Sequence, residues 1–227
     1  MDSKRLPGKP LLKFNDIPMV IKVAQNCEEA VGKELVVVST PDNEIIEACD
    51  EFAVHWIKSS LTCNSGTDRL YEYALKSDVE VFINVQGDEP FLTAEAIRSF
   101  CIETSSKSRT SIGIVRLSNE STASKKSIVK VAMSNSKVIY ASRLPVATLI
   151  DQSQITYFKH IGIYSFTRSD IQSFGVTKPG PLELLENIEI LRLIELGISV
   201  HGIELNHTGK AIDTIDDYES DPTHEGY

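Results

Sequence analysis

The stretch Asn84-Val85-Gln86-Gly87-Asp88-Glu89-Pro90 decides the fold class of this chain. It ends an apolar, β-branched run, Val79 to Val85, which predicts a buried strand. Gln86-Gly87-Asp88 then turns sharply off the strand, and in open α/β sheets ligands bind at the carboxyl ends of strands. A carboxylate at that place, on Asp88, suits a metal ion or a sugar hydroxyl. The alternative is that Asp88 is a solvated turn residue.

Strands alternate with helices through the first half of the chain. The predicted strands are Glu34 to Thr40, Val54 to Ile57, Val79 to Val85 and Ser111 to Val115. The predicted helices are Pro18 to Ala30, Glu44 to Phe52, Asp68 to Lys76 and Thr93 to Ile102. Because strands that are joined through helices pair in parallel by right-handed crossovers, this alternation predicts an α/β fold with a mainly parallel sheet.

The second half of the chain carries a hairpin signal. Val129 to Met133 and Lys137 to Ala141 are apolar runs separated by Ser134-Asn135-Ser136, which favours a tight turn. A further strand is predicted at Thr156 to Phe166. We expect the segment from about 128 to 166 to include an arm that packs on a second copy of the chain.

A helix is predicted from Leu182 to Leu196 on its apolar periodicity. Glu183, Glu186 and Glu189 recur at a spacing of three and therefore share one side of that helix. We predict that this side is solvated, as a charged helical stripe usually is.

Length and composition limit the classes to which the chain can belong. Its 227 residues suffice for one α/β domain, which we predict over 1–227. The formal net charge of −9 argues against a nucleic-acid surface. No apolar run approaches the roughly twenty residues of a membrane span and no secretory leader is evident, so we expect a cytoplasmic protein. The four cysteines form no Cys-x-x-Cys pair, so reduced thiols are expected and a zinc site is not.

The segment Met1 to Pro10 is basic. Pro7-Gly8 marks a turn, and Arg5 and Lys9 stand on either side of it. A glycine-bearing loop with cations on both sides suits a polyphosphate, because backbone N–H groups approach it closely and the cations neutralise its charge. The alternative is a solvated basic tail.

Small residues precede the helix that is predicted from Asp68. The sequence Asn64-Ser65-Gly66-Thr67 leaves N–H donors at the start of that helix, which favours an anion or the polar edge of a base. The alternative is that Ser65 and Thr67 cap the helix.

Two aspartates, Asp88 and Asp213, follow extended segments at what we expect to be one edge of the sheet. Both could reach one divalent cation there. Magnesium favours one or two protein carboxylates together with substrate phosphates. With a basic loop to hold a triphosphate, this pair predicts a nucleotidyl-transfer site, in which metal and cations stabilise charge on the phosphates.

Eight ordered motifs along nearly the whole chain resemble one family, the 3-deoxy-manno-octulosonate (Kdo) cytidylyltransferases, or CMP-Kdo synthetases. The motifs are LPGKPL (Leu6 to Leu11), SGTDRL (Ser65 to Leu70), NVQGDEP (Asn84 to Pro90), VKV (Val129 to Val131), YASR (Tyr140 to Arg143), HIGIYSF (His160 to Phe166), ENIEILR (Glu186 to Arg192) and DTIDDYE (Asp213 to Glu219).

The resemblance implies a three-layer α/β/α, Rossmann-like nucleotidyltransferase fold with a mixed, mainly parallel sheet and a β-arm for homodimerisation. It implies an enzyme that makes CMP-Kdo from CTP and Kdo, releases pyrophosphate and serves lipopolysaccharide biosynthesis. By resemblance, Asp88 and Asp213 hold Mg²⁺, and Lys9 acts with them in catalysis. The implied CTP-binding residues are Ser3, Arg5, Lys9, Ser65, Gly66, Asp68 and Arg69. The implied sugar-binding residues are Gln86, Arg143, His160, Tyr164 and Glu189.

The chain departs from the family pattern in two places that bear on function. The family usually has an apolar strand and an Ile-Pro-Ala-Arg segment before the loop that holds Arg5, and we expect this chain to lack that strand. Ile190 stands where the family usually has a glutamine. An alkyl side chain cannot form the hydrogen bond to a sugar hydroxyl that a glutamine amide can form. An altered sugar, such as an 8-amino derivative, is therefore one alternative. The others are an inactive nucleotide-binding homologue that acts only as a dimeric binding protein, and a nucleotidyltransferase for another acid sugar.

Overall fold

The computed structural model describes residues 8–117, 125–144, 158–207, 211–212 and 215–219. The strands are β1 Lys13–Phe14, β2 Ile17–Pro18, β3 Val38–Thr40, β4 Trp56–Lys58, β5 Val81–Val85, β6 Ser111–Arg116, β7 Lys130–Ser134, β8 Lys137–Ser142, β9 Phe158–Thr167 and β10 His201–Glu204. The α-helices are α1 Met19–Val31, α2 Asn43–Glu51, α3 Gly66–Ala74, α4 Ala94–Ser105, α5 Arg168–Val176, α6 Pro181–Glu186, α7 Leu191–Glu195 and α8 Ile215–Glu219. Short 3-10 helices lie at Lys9–Leu11 and Lys33–Leu35.

The main sheet has six strands in the order β5-β9-β6-β10-β8-β7. β6 and β10 pair in parallel, whereas the other pairings of this sheet that the described residues make are antiparallel. A mixed sheet is therefore confirmed, but the prediction that it is mainly parallel is wrong. The reason is that β9, from the second half of the chain, runs antiparallel between β5 and β6 and separates two strands that would otherwise be parallel neighbours.

Two smaller pairings accompany the main sheet. β3 and β4 pair in parallel, as the strand-helix-strand pattern predicts. β1 and β2 form a short antiparallel ribbon around Asn15 and Asp16, both of which have positive φ angles. This ribbon leads the chain from the Lys9 segment into α1.

Helices cover both faces of the main sheet, so the predicted three-layer arrangement is confirmed. On one face, Phe82 and Phe166 of the sheet pack with Phe174 of α5 and Leu191 of α7. On the other face, residues of α1 and α4 pack on the sheet, and the buried side chains there are Val23, Cys27, Ile97, Phe100, Ile161, Ile163 and Leu205. Alternation along β9 therefore sends its side chains into both cores, because successive strand residues point to opposite faces.

The predicted hairpin is confirmed. β7 and β8 pair around Asn135 and Ser136, whose φ angles of 49° and 65° match the left-handed turn that the twist of a two-residue hairpin requires. The hairpin continues the main sheet, because β8 pairs with β10 and β7 pairs with β9. Its packing on a second copy of the chain stays a prediction.

Two predicted elements are wrong in their extent. The segment from Glu34 begins as the 3-10 turn Lys33–Leu35, with strand structure from Val38 only. The helix predicted over Leu182 to Leu196 is broken into α6 and α7, because Asn187 adopts the left-handed conformation with φ 54°. Asparagine tolerates this conformation better than most residues.

None of the helices in the described part of the chain has both the length and the apolar character that crossing a membrane requires.

Candidate functional site

Asp88 lies in the turn that leaves the end of β5, as the sequence predicts. Its Oδ2 accepts a hydrogen bond from Lys9 Nζ at 2.8 Å, so the glycine-bearing basic segment reaches the same place. Gly8 has φ 71° and starts the 3-10 turn that carries Lys9, a conformation in which a side chain would be strained. For Lys9 the solvated-tail alternative is therefore wrong, since only 9% of the residue is exposed. Arg5 and Ser3 lie outside the described residues.

The second oxygen of Asp88, Oδ1, is buried and has no hydrogen-bond partner within the described part of the chain. An unpartnered carboxylate oxygen of this kind suits a hard cation. Ile212 donates its N–H to the backbone carbonyl of Asp88 at 3.1 Å. The chain thus passes beside Asp88 one residue before Asp213, which itself lies outside the described residues. Those residues hold no cluster of three or more His, Cys, Asp or Glu able to bind a metal.

Side chains of the same segment cap the N-terminus of α3. Ser65 Oγ accepts from the backbone N–H of Asp68 at 3.0 Å, and Asp68 Oδ2 accepts from the N–H of Asn64 at 3.1 Å. The capping alternative is therefore confirmed for Ser65. Thr67 does not cap the helix with its side chain. Its N–H (3.3 Å) and its hydroxyl both donate to Oε2 of Glu189. The first turn of α3 is thus joined directly to the segment between α6 and α7.

All three glutamates of the predicted charged stripe have partners, so the prediction of a solvated helix face is wrong. The break at Asn187 turns Glu189 inward, and burial raises its pKa although the hydrogen bonds from Thr67 act in the opposite direction. Glu183 is buried and receives two hydrogen bonds of 2.6 Å from the guanidinium of Arg192. A helix pattern alone does not show this, because Thr67 comes from a distant part of the chain and Arg192 reaches Glu183 only where the helix is broken.

Glu186 holds the end of β8. It accepts hydrogen bonds from Tyr140 Oη (3.1 Å), Ser142 Oγ (3.0 Å) and the backbone N–H of Arg143 (2.9 Å). Burial by itself would raise the pKa of Glu186, but these hydrogen bonds outweigh it and the pKa is lowered. The Arg143 side chain bends back to α6, since Nε donates to the carbonyl of Glu186 at 3.1 Å.

Gln86, Tyr164 and His160 form a group beside the Asp88 turn. Gln86 Nε2 donates to Tyr164 Oη at 3.1 Å, and the rings of Tyr164 and His160 lie 5.0 Å apart. Burial, together with the charges of Glu189, Asp88 and Glu89, holds the pKa of Tyr164 well above its usual value. The hydroxyl therefore stays protonated.

His160 is neutral at physiological pH. Burial, with smaller contributions from Lys159 and Arg143, lowers the pKa of its imidazole to about 4. Its Nε2 is buried and finds no hydrogen-bond partner in the described ranges. A neutral ring with one unused nitrogen can donate a hydrogen bond to a ligand or accept one from it.

Two further buried donors at the site lack partners among the residues that the structure describes: Arg69 Nε and Asn84 Nδ2. Asn84 is the last but one residue of β5, and its Nδ2 lies 3.8 Å from the position that a Cβ on Gly66 would take. Buried polar groups without partners are rare in folded proteins, and these two join Asp88 Oδ1 and His160 Nε2 as groups that could bind a ligand. Sequence reasoning assigned no role to Asn84, although it stands in the stretch that decided the fold.

Ile190 is 1% exposed and packs in the core with Leu191, Leu193 and Tyr164. Tyr164 is one of the predicted sugar-binding residues, so Ile190 shares a core cluster with the predicted sugar site. That its alkyl side chain alters the sugar preference stays a prediction.

The link between Thr67 and Glu189 can be tested through stability. Thr67→Val keeps the shape but removes the hydroxyl donor from a buried carboxyl, so the free energy of unfolding should fall by about 1–3 kcal/mol. Urea unfolding measures this change. Thr67→Ser keeps the donor and is the matched control, with less than about half of that loss. Equal stability of the valine variant and the original protein would contradict the proposed link.

A mixed α/β sheet with a lysine–carboxylate pair at the end of a strand suits a nucleotidyltransferase, which is the class of the relatives described below. The fold is similar to that of apo UDP-glucose pyrophosphorylase, with a TM-score of 0.66 over 95% of this chain and 91% of that chain. At 11% identity this likeness concerns the fold alone.

The family follows from closer relatives. Residues 1–202 match the family model described as Cytidylyltransferase. The 3-deoxy-manno-octulosonate cytidylyltransferase of Lawsonia intracellularis is 36% identical over 96% of this chain and 87% of its own length. A solved CMP:2-keto-3-deoxy-manno-octonic acid synthetase complexed with CTP is 30% identical with a TM-score of 0.88, over 96% of this chain and 91% of that one. The chain therefore belongs to the 3-deoxy-manno-octulosonate cytidylyltransferase family, as its motifs indicated.

Proposed function

We propose that this protein transfers CMP from CTP to 3-deoxy-manno-octulosonate and releases pyrophosphate. One observation carries the proposal: Lys9 contacts Asp88 at the end of β5, in a chain whose relatives bear the name of this activity. The product is an activated sugar for lipopolysaccharide biosynthesis. A cytoplasmic location fits a substrate such as CTP.

The reaction is an attack by the anomeric hydroxyl of the sugar acid on the α-phosphate of CTP. Lys9 contributes positive charge where the phosphates lie, and we propose Ser3 and Arg5 as further phosphate contacts. The segment Ser65 to Arg69 borders the cytidine. Gly66 allows close approach, Asp68 orients the turn, and Arg69 offers an Nε that has no partner among the described residues. Stabilising the charge that develops on the phosphates is usually the largest contribution to such a rate.

Mg²⁺ is the cofactor that the residues fit best. Asp88 offers a buried carboxylate oxygen without a partner in the described residues, and we propose Asp213 as the second ligand, since Ile212 contacts Asp88. When bound, the ion would neutralise phosphate charge and orient the α-phosphate. Oδ1 of Asp88 is the oxygen left for the ion in this scheme, because Oδ2 accepts the hydrogen bond from Lys9.

We propose that the sugar acid lies over the group formed by Gln86, His160 and Tyr164. The hydroxyl of Tyr164, the amide of Gln86 and Nε2 of His160, which has no partner in the described ranges, are uncharged partners for sugar hydroxyls. Glu189 is a strong acceptor whose raised pKa also lets it donate when protonated. Arg143 supplies positive charge for the carboxylate of the sugar, since a guanidinium fork matches two oxygens.

A homodimer is part of the proposal. The β7–β8 hairpin exposes Ile139 and, just beyond its second strand, Leu144, which are 51% and 55% exposed. Apolar side chains on an exposed ribbon suit contact with a second copy. Light scattering on the purified protein should therefore give about twice the 25.2 kDa mass of one chain.

The assay follows pyrophosphate from purified protein with CTP, Mg²⁺ and 3-deoxy-manno-octulosonate. We expect release only when all three are present, and strong loss when UTP replaces CTP or when N-acetylneuraminate replaces the octulosonate. No pyrophosphate with any octulosonate would contradict the proposed activity. Equal rates with N-acetylneuraminate would instead favour a nucleotidyltransferase for another acid sugar.

A further inference from the structure

Strand β9 contains a bulge directly opposite the Asp88 turn. Ile112 of β6 pairs with Tyr164, but the next residue, Gly113, pairs with Ile161. Gly162 and Ile163 are therefore the extra residues of a β-bulge. Such a bulge turns backbone groups away from the regular ladder, and bulges recur beside active sites.

The backbone N–H and the backbone carbonyl of Gly162 both form hydrogen bonds with the turn that follows β5. The N–H of Gly162 donates to Oε1 of Glu89 at 2.8 Å, and its carbonyl accepts from the N–H of Gln86 at 2.8 Å. The N–H of Glu89 then donates to the carbonyl of Gln86 at 3.2 Å, which closes the turn. We call the first two hydrogen bonds the Glu89–Gly162 clamp.

The clamp is tightly packed. Glu89 is 4% exposed, which is unusual for a glutamate and requires compensating hydrogen bonds. A Cβ added to Gly162 would lie 2.9 Å from Glu89 Cγ and 3.0 Å from Gln86 Oε1. A side chain at residue 162 would therefore force the side chain of Glu89 or of Gln86 to move.

Gln86 and Asp88 both depend on this arrangement. The backbone N–H of Gln86 is hydrogen-bonded to Gly162. Asp88 lies between Gln86 and Glu89 in the turn that the clamp closes. A carboxylate receiving a backbone N–H makes a charge-assisted hydrogen bond, which is stronger than a neutral one. The clamp thus sets the direction in which Asp88 faces Lys9 and Gln86 faces Tyr164.

We propose that Glu89 and Gly162 are positioning residues, which hold Gln86 and Asp88 in the geometry that the transfer requires. This inference rests on the proposed function, because it assigns the clamp to that same site. Neither residue touches the reacting atoms. Their effect reaches the chemistry through the turn that they fix.

Glu89→Ala and Gly162→Ala test the clamp from its two ends. Each is expected to lower kcat by about 100-fold, the effect of displacing a reacting group by roughly 1 Å. The KM for CTP should change by less than about threefold, because the start of α3 and its contacts are untouched. Glu89→Gln keeps an acceptor oxygen and should restore kcat to within about fivefold of the original protein. Glu95→Ala, an exposed glutamate six positions away, is the control for loss of charge and should leave both constants unchanged.

Hydrogen exchange tests the Glu89–Gly162 clamp independently of the enzymatic activity. In Glu89→Ala, faster exchange is expected in 86–89 and 160–164 and not in the rest of the described chain. If the original protein makes no product but exchange changes as expected, the clamp stands and the proposed activity fails. The positioning role is overturned if Glu89→Ala keeps the kcat of the original protein. It is also overturned if hydrogen exchange speeds up throughout the molecule in Glu89→Ala, the melting temperature falls, and Glu89→Gln restores neither.

Discussion

Asp88→Asn is expected to lower kcat by at least about 1,000-fold while leaving the fold intact. The substitution removes the charge that we propose for the metal and replaces one oxygen by an NH₂ group that repels a cation. Losses of about 2.7–4 kcal/mol in transition-state stabilisation follow when a single electrostatic group is removed from an active site, and a metal ligand should lie at or above that range. The steady-state rate of pyrophosphate release measures the effect.

Stability should change little in this variant. Within the described residues the side chain of Asp88 accepts the 2.8 Å hydrogen bond from Lys9, and it is 28% exposed. We therefore expect a loss of at most about 1.5 kcal/mol in the free energy of unfolding. Asp78→Asn changes a fully exposed aspartate in the same way and is the control. More than about a tenth of the original kcat in Asp88→Asn would contradict the metal assignment.

Arg192→Met should destabilise the protein by about 3–5 kcal/mol, because it leaves a buried carboxylate without its partner. Both oxygens of Glu183 are bonded to this guanidinium at 2.6 Å, and the guanidinium lies 3.7 Å from the centre of the Phe174 ring. Its Nη1 also bonds the carbonyls of Phe174 and Thr177 at 3.2 Å. For a chain of this length the melting temperature should fall by about 10 °C, which calorimetry measures.

Arg116→Met is the matched control, because Arg116 is largely exposed where it meets Glu204, and exposed ion pairs contribute about 0–1 kcal/mol. Combining Glu183→Gln with Arg192→Met should recover part of the loss, since no buried charge then remains unpaired. A melting temperature of Arg192→Met within about 2 °C of the original would show that the buried pair does not stabilise the fold.

Arg192 also connects stability with the site. Its Nη1 lies 3.5 Å from Asp68 Oδ1, in the first turn of α3. Thr67, in the same turn, holds Glu189, which lies between the two short helices that carry Glu183 and Arg192. The proposed cytidine segment and the proposed sugar segment are therefore parts of one hydrogen-bonded unit. Damage to that unit should weaken both substrate sites together.

The amino-acid sequence by itself determined the class of fold, the hairpin, the three layers and the family. Periodicity, turn residues and ordered motifs are local or one-dimensional signals, and they also placed Asp88 at the end of a strand and Ser65 at a helix start. That the NVQGDEP stretch is the centre of the site stays a prediction, and no local signal assigned roles to its Asn84 and Glu89.

Only the tertiary structure decided which strands are neighbours and which charges are buried. β9 enters between β5 and β6 from about 75 residues further along the chain, so the antiparallel pairing has no local signal. Asn187 breaks a helix that periodicity predicts as continuous, and three glutamates that would line a solvated face then meet Arg192, Arg143 and Thr67. Helix periodicity shows which residues share a side, but it shows neither the break at Asn187, which brings Arg192 to Glu183, nor the distant segments that supply partners for Glu186 and Glu189.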